Sequence, residues 1–220
     1  MGVVIDHDYS GYRQNWHNAR ANRWNGAFYY SKEIVKYIIP NVKTDRNWLT
    51  INTKGACLDH TIVFIHNNKH PENYGWLAGY KDLVLVCGVK STMHKVAHLG
   101  KVIYLPLSVC VEDVEKYKRK KTKEIAFAGR AEKANCTNLP GCERLQGLPR
   151  TKLLPEMAKY KKIYAVGRTA IEAKILGCEV LPYDPRFPDP SIWQVLDCKE
   201  AAKILQKELD KIDGNNNSAK

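Results

Sequence analysis

Three short runs constrain this chain more than anything else in it: TIVFIHN at 61–67, LVLVCG at 83–88 and VIYLPL at 102–107. Each is apolar at odd and even positions alike. A strand with one wet face alternates between apolar and polar residues. A strand apolar on both faces has to be covered on both, which is the condition of a buried parallel sheet. WLTIN at 48–52 belongs to the same set, and VVI at 3–5 predicts a strand leading into Asp6-His7-Asp8. Helical spacing fills the intervals. FYYSKEIVKYII at 28–39 predicts a helix stopped by Pro40, and STMHKVAHLG at 91–100 predicts a crossover helix capped by Gly100. Residues 9–27, rich in Gly, Asn, Arg, Trp and Tyr, predict an irregular segment.

The alternation stops at EDVEKYKRKKTK, 112–123, which is charged nearly throughout, and then resumes. EIAFAGR predicts a strand ending in Gly129-Arg130, TKLLPEMAKY a short helix, KIYAV a strand, TAIEAKILG a helix and CEVLPYD a strand. KEAAKILQKELDKI predicts a final amphipathic helix with Ala202, Leu205, Leu209 and Ile212 on one face. The pattern predicts an α/β chain in two halves: 1–111, a charged linker at 112–123, a second half at 124–213, and a disordered tail at 214–220.

At 220 residues the chain is long enough to bury a real core in two small halves. Lys and Arg number 35 against 23 Asp and Glu, a net charge of +12 that favours anionic partners such as phosphates or nucleic acid. The seven cysteines are odd in number and irregularly spaced, which predicts reduced thiols. Cys136 and Cys142 lack the second close pair that a zinc site uses, so no metal site is predicted. No signal-peptide pattern and no apolar stretch of about 20 residues is present, so the expectation is a cytoplasmic protein with no membrane span.

The most informative stretch is YAVGRTAIEAKILGCEVLPYD, 164–184. In an open parallel sheet, ligands bind beyond the carboxyl ends of the strands, where helices begin. There the first backbone N–H groups lack partners and carry a partial positive charge. Gly167 lets a backbone approach an anion closely, Arg168 adds a charge-assisted contact, and Thr169 is placed to act as N-cap or to donate its hydroxyl. Glu172, one turn in, is placed to accept hydrogen bonds from ribose hydroxyls. Together these residues predict a phosphate seat. The same residues are also what a plain helix–strand unit would use.

Over residues 102–184 the chain resembles the GT-B glycosyltransferases. The resemblance rests on VIYLPLSV, on KTKEIAFAGR ending in Gly129-Arg130, and on the Gly-rich turn with its helix–strand unit from Gly167 to Val180. It implies two Rossmann-like halves, unusually small here, with a nucleoside-diphosphate sugar held by the second. It further implies Arg130 and Lys133 as a phosphate clamp and Gly167, Arg168, Thr169 and Glu172 as diphosphate and ribose contacts. No cofactor beyond the donor sugar nucleotide is implied. Tyr164 stands where retaining members carry the first of two glutamates. His66, after TIVFI, and His7, after VVID, are candidate bases at strand ends, and His60 is a third. Asp6-His7-Asp8 has the D-x-D form of a metal motif of the other glycosyltransferase fold, but almost no chain precedes it here. The acceptor is open, and the positive charge would suit DNA. The alternative is a non-enzymatic nucleotide- or nucleic-acid-binding protein on the same scaffold. Arg13, Arg20 and Arg23, interleaved with Tyr12, Trp16 and Trp24, would then meet phosphates and stack on bases.

Overall fold

The computed structural model describes residues 2, 4–5, 26–50, 57–65, 71–129, 142–182 and 189–217. The chain forms two compact units. The first holds Ala27–Pro106, the first strand and the final helix; the second holds Leu107–Asp197.

The first unit is built on a five-stranded sheet: β1 (Val4–Ile5), β2 (Asn47–Leu49), β3 (Thr61–Ile65), β4 (Val84–Cys87) and β5 (Lys101–Tyr104). The strands lie side by side in chain order, and every pairing is parallel. All five residues of β3 and all four of β4 are buried, as their double-sided apolar runs require. One face carries Leu49, Val63, Ile65, Leu85 and Cys87 against Tyr74 and Leu77 of a 3-10 segment (Pro71–Gly79) and against Val96 and Leu99. On the other face Trp48 stacks on Phe64 at 6.3 Å, and Tyr30 meets the same ring edge-on at 6.1 Å.

Tyr30 lies on α1 (Gly26–Glu33), which runs into a π-helical turn (Ile34–Ile38) and a 3-10 turn (Ile39–Asn41) containing Pro40. The expected crossover helix is α2 (Lys90–Val96), continued by a 3-10 turn at Ala97–Leu99. Gly100 does not close it with a left-handed cap. Its backbone is extended, and a Cβ there would stand 2.4 Å from the Leu83 carbonyl oxygen. Glycine is required because two backbones meet, not because the helix turns back.

The second unit has a four-stranded sheet: β6 (Lys123–Phe127), β7 (Glu143–Arg144), β8 (Tyr160–Tyr164) and β9 (Glu179–Leu181). The order is β7-β6-β8-β9, again entirely parallel. Its helices are α3 (Val111–Glu115), α4 (Arg150–Met157) and α5 (Arg168–Ile175). Its strands differ from β3 and β4 in being half-charged. Lys161 and Lys162 of β8 are exposed and pair with Glu124 at 2.6 Å and Glu179 at 3.3 Å on the neighbouring strands.

Two expected boundaries move. The charged run at 112–123 is no linker: α3 begins at Val111 with Val114 fully buried, and the units divide between Pro106 and Leu107. Charge was a poor guide because Lys116 and Lys118 pair with Asp113 and Glu115 on the surface of a folded segment. The last helix, α6 (Cys198–Asn217), belongs to the first unit, not the second. Its apolar stripe (Cys198, Ala201, Ala202, Leu205, Leu209) is buried, it packs on the turn Ile34–Ile38, and Gln206 Nε2 donates to the Lys43 carbonyl at 3.1 Å. An amphipathic helix shows that it covers something, but not which half of the chain it covers. The helix also continues past residue 214, where the tail was expected to begin.

Candidate functional site

The second sheet has one place where its strand order reverses. From β6 the chain goes to β7 on one side; from β8 it goes through α5 to β9 on the other. The carboxyl ends of β6 and β8 therefore flank a gap from which the connections diverge, the usual seat of a ligand in an open α/β sheet. The two ends lie in register, with Phe127 opposite Tyr164 and the Ala128 N–H donating to the Tyr164 carbonyl at 3.0 Å. Gly129 follows on one side and Ala165-Val166-Gly167 on the other.

Gly167 is the N-cap of α5, with φ 61° and ψ −138°, a backbone state open essentially to glycine alone. A Cβ there would meet nothing within 4 Å among the described residues. Torsion therefore selects the glycine, and the space beside it is open. The helix starts at Arg168, one residue before the expected Thr169, and no side chain caps it. The Gly167 carbonyl accepts from Ala170 and Ile171 at 3.0 and 3.2 Å, so the first turn closes on backbone alone. Thr169 is half-buried on that turn.

Arg168 and Glu172 are both buried, at 8 % and 3 % exposure. Arg168 Nε donates to Glu172 Oε1 at 2.8 Å. Arg150 Nε donates to the same oxygen at 2.9 Å. Neither bond uses Oε2. One carboxylate thus fixes two guanidinium groups that each open a helix, α4 and α5. A carboxylate this deeply buried needs such pairing. No local motif in the sequence marks Arg150, which lies 22 residues before Glu172. The one available signal was its place directly after Pro149, which is the N-cap of α4. Just after β7, Gln146 Nε2 is buried with no hydrogen-bond partner among the described residues. A buried donor without an acceptor is uncommon, and a ligand oxygen would satisfy it.

Of the expected site residues, Gly167, Arg168, Thr169 and Glu172 fall together on the β8–α5 connection. His7, His66, Arg130, Lys133 and the Arg/aromatic segment at 12–24 lie outside the described residues. His60 is described and sits elsewhere, at the amino end of β3. Its Nδ1 lies 2.5 Å from Asp82 Oδ2 and its Nε2 3.0 Å from Asp45 Oδ1. Fully buried Arg46 reaches the Asp82 carboxylate at 3.1 Å and Asp213 of α6 at 2.7 Å. His60 and Asp82 both hold left-handed backbone, φ 56° and 50°. Burial disfavours the imidazolium, but the bonds to Asp45 and Asp82 outweigh it and raise the His60 pKa. This cluster ties three strand entries to the last helix, at the end of the sheet opposite to that where α/β ligands bind.

The six described cysteines are free, and burial pushes the Cys87 thiol up to about 12, which suits packing and not nucleophilic attack. No helix among the described residues is long and apolar enough to cross a membrane. No protein-family model, curated protein or solved structure matches the chain.

Proposed function

We propose that the second unit binds a nucleoside-diphosphate sugar at the carboxyl ends of β6 and β8, and that the protein transfers the sugar to an acceptor hydroxyl. The observation that carries this reading is the reversal of strand order with an uncapped helix and the Arg150–Glu172–Arg168 cluster beside it. In the transfer, the bond between the anomeric carbon and the phosphate oxygen breaks and the acceptor oxygen takes its place. The nucleoside diphosphate leaves with added negative charge, which helix N–H groups and guanidinium groups stabilise electrostatically. Arg168 and Arg150 supply fixed positive charge, and Arg130 and Lys133, after β6, are proposed to close on the same diphosphate. Glu172 keeps the two guanidiniums oriented through Oε1, and its Oε2 is the atom offered to a ribose hydroxyl. His7 and His66 are the proposed acceptors of the proton from the attacking hydroxyl.

The test is calorimetric titration of the protein with nucleoside diphosphates, followed by assay of nucleoside diphosphate released from the corresponding sugar conjugates. Tight diphosphate binding with release is the expected result. Diphosphate binding without release, over a panel of sugars and acceptors, would favour a nucleotide-binding protein on this scaffold. Tyr164, at the position where retaining members of the resembled family have an acidic residue, is the observation that favours that second reading. Absence of diphosphate binding would remove both.

A further inference from the structure

Several exposed lysines of this protein stand beside an acid three residues earlier in the chain. Lys116 and Lys118 pair with Asp113 and Glu115 at the end of α3, and Lys203 and Lys211 pair with Glu200 and Glu208 on α6. One segment has no acid nearby in the chain to offer. Between Asp82 and Glu112 the sequence contains no acidic residue at all. Within that interval α2 and the turn after it expose Lys90, Ser91, His94, Lys95 and His98. Their spacing of i, i+1, i+4, i+5 and i+8 places them on one side of a helical path, spanning about 12 Å at 1.5 Å per residue. Lys90, His94, Lys95 and His98 make no ion pair among the described residues. The Lys90 ammonium lies 5.3 Å from the centre of the Tyr104 ring, a contact that leaves its charge intact. The buried side of the same helix, Thr92 and Val96, satisfies the fold without any need for cations opposite. Like charges placed together on a helix face cost stability.

We infer that this face of α2 is a contact surface for the phosphate backbone of nucleic acid. Lysine ammonium groups, the Ser91 hydroxyl and imidazole N–H groups are all donors suited to phosphate oxygens, and such contacts position a protein without reading bases. An anionic membrane is disfavoured because interfacial helices bury an apolar face, and among the described residues none of the exposed large apolar side chains lies between residues 59 and 147. The inference concerns the first unit and does not rest on the donor-site reading. A protein that binds no nucleotide sugar could still pass the test below, and one that fails it could still transfer sugar.

The experiment is fluorescence anisotropy of a labelled double-stranded oligonucleotide with the full chain across a salt series. No nucleotide sugar is added. The parent should bind with a steep salt dependence. Lys90→Gln/Lys95→Gln should bind more weakly, with log K against log salt shallower by about 1.8, since each neutralised phosphate contributes about 0.9. That is roughly a tenfold smaller loss of affinity over a fourfold rise in salt. Lys203→Gln/Lys211→Gln removes two lysines that pair with acids and should keep the parent slope. Circular dichroism confirms that both variants are folded, which their exposed positions favour. The inference is overturned if the α2 variant keeps the parent slope, if both variants change it equally, or if polyglutamate displaces the oligonucleotide at equal charge. It is also overturned if phosphatidylserine vesicles bind the parent and the oligonucleotide does not.

Discussion

The two sheets are both wholly parallel, yet their buried arginines lie at opposite strand ends. In the first, strands follow one another in chain order and the buried arginine, Arg46, sits where strands begin. In the second, the order reverses, and the buried Arg168 and Glu172 sit where strands finish and α5 starts. A helix that follows a parallel strand points its positive end at the strand's carboxyl edge. An ionic cluster at the amino edge therefore has no helix N-terminus to cooperate with and serves as a tie between segments. A cluster at the carboxyl edge adds its charge to that of the helices. Burial of an arginine is thus ambiguous until the strand end beside it is known.

The sharpest way to break this contrast is to remove each arginine in turn. Arg46→Met should lower unfolding free energy by about 1–3 kcal/mol, since it removes charge-assisted hydrogen bonds from a fully buried guanidinium to the half-exposed Asp82 and Asp213, and should leave nucleoside-diphosphate affinity unchanged. Urea denaturation alongside calorimetry reads both. Arg168→Ala should do the reverse in emphasis, weakening nucleoside-diphosphate binding by about 1–3 kcal/mol, the range for a hydrogen bond to a charged group. Equal effects of the two substitutions on affinity would erase the distinction between tie and site.

Gly167→Ala tests the turn between them. The site has room for a methyl group but not the torsion, so the expected cost is about 1–3 kcal/mol of backbone strain, seen as a lowered melting temperature. A neutral result would mean that the turn relaxes freely and that its left-handed geometry is not what positions α5.

The smallest expected effect is a pH dependence confined to the first unit. The folded state raises the His60 pKa, so the protonated ring is the stabilised form. Its contribution is complete below the ordinary histidine value of about 6.5 and is lost as pH rises through the raised value. The folded state lowers Asp45, chiefly through its bond to His60. It also lowers Asp82, where the bonds to His60 and Arg46 overcome burial. Their contributions hold above the ordinary carboxylate range and fade as pH falls through the depressed values. His60→Asn, which tolerates the left-handed backbone, should remove the loss on the alkaline side and shrink the acid-side loss to what Arg46 sustains at Asp82. Unfolding midpoints across pH measure it, and a profile identical to the parent would show that His60 is only packed there.

The sequence by itself determined the class of the fold and the chemistry of one connection. Double-sided apolar runs in TIVFI and LVLVC permit little but parallel strands covered on both faces, because burial on both sides follows from composition along a short segment. Gly167-Arg168 after KIYAV likewise marks a strand-to-helix turn, since only glycine accepts the torsion found there. Tertiary structure alone decided which distant pieces meet. Arg150 joins Glu172 because strand order brings the starts of α4 and α5 to one edge. The last helix packs on the Ile34–Ile38 turn of the first unit, a choice that its apolar stripe, complementary to any exposed apolar face, does not specify. Strand order has no local signature either: β7 is two residues long, and it is the element whose placement beside β6 creates the reversal. Local periodicity records how much of a segment is buried, whereas the identity of the partner is a property of the whole chain.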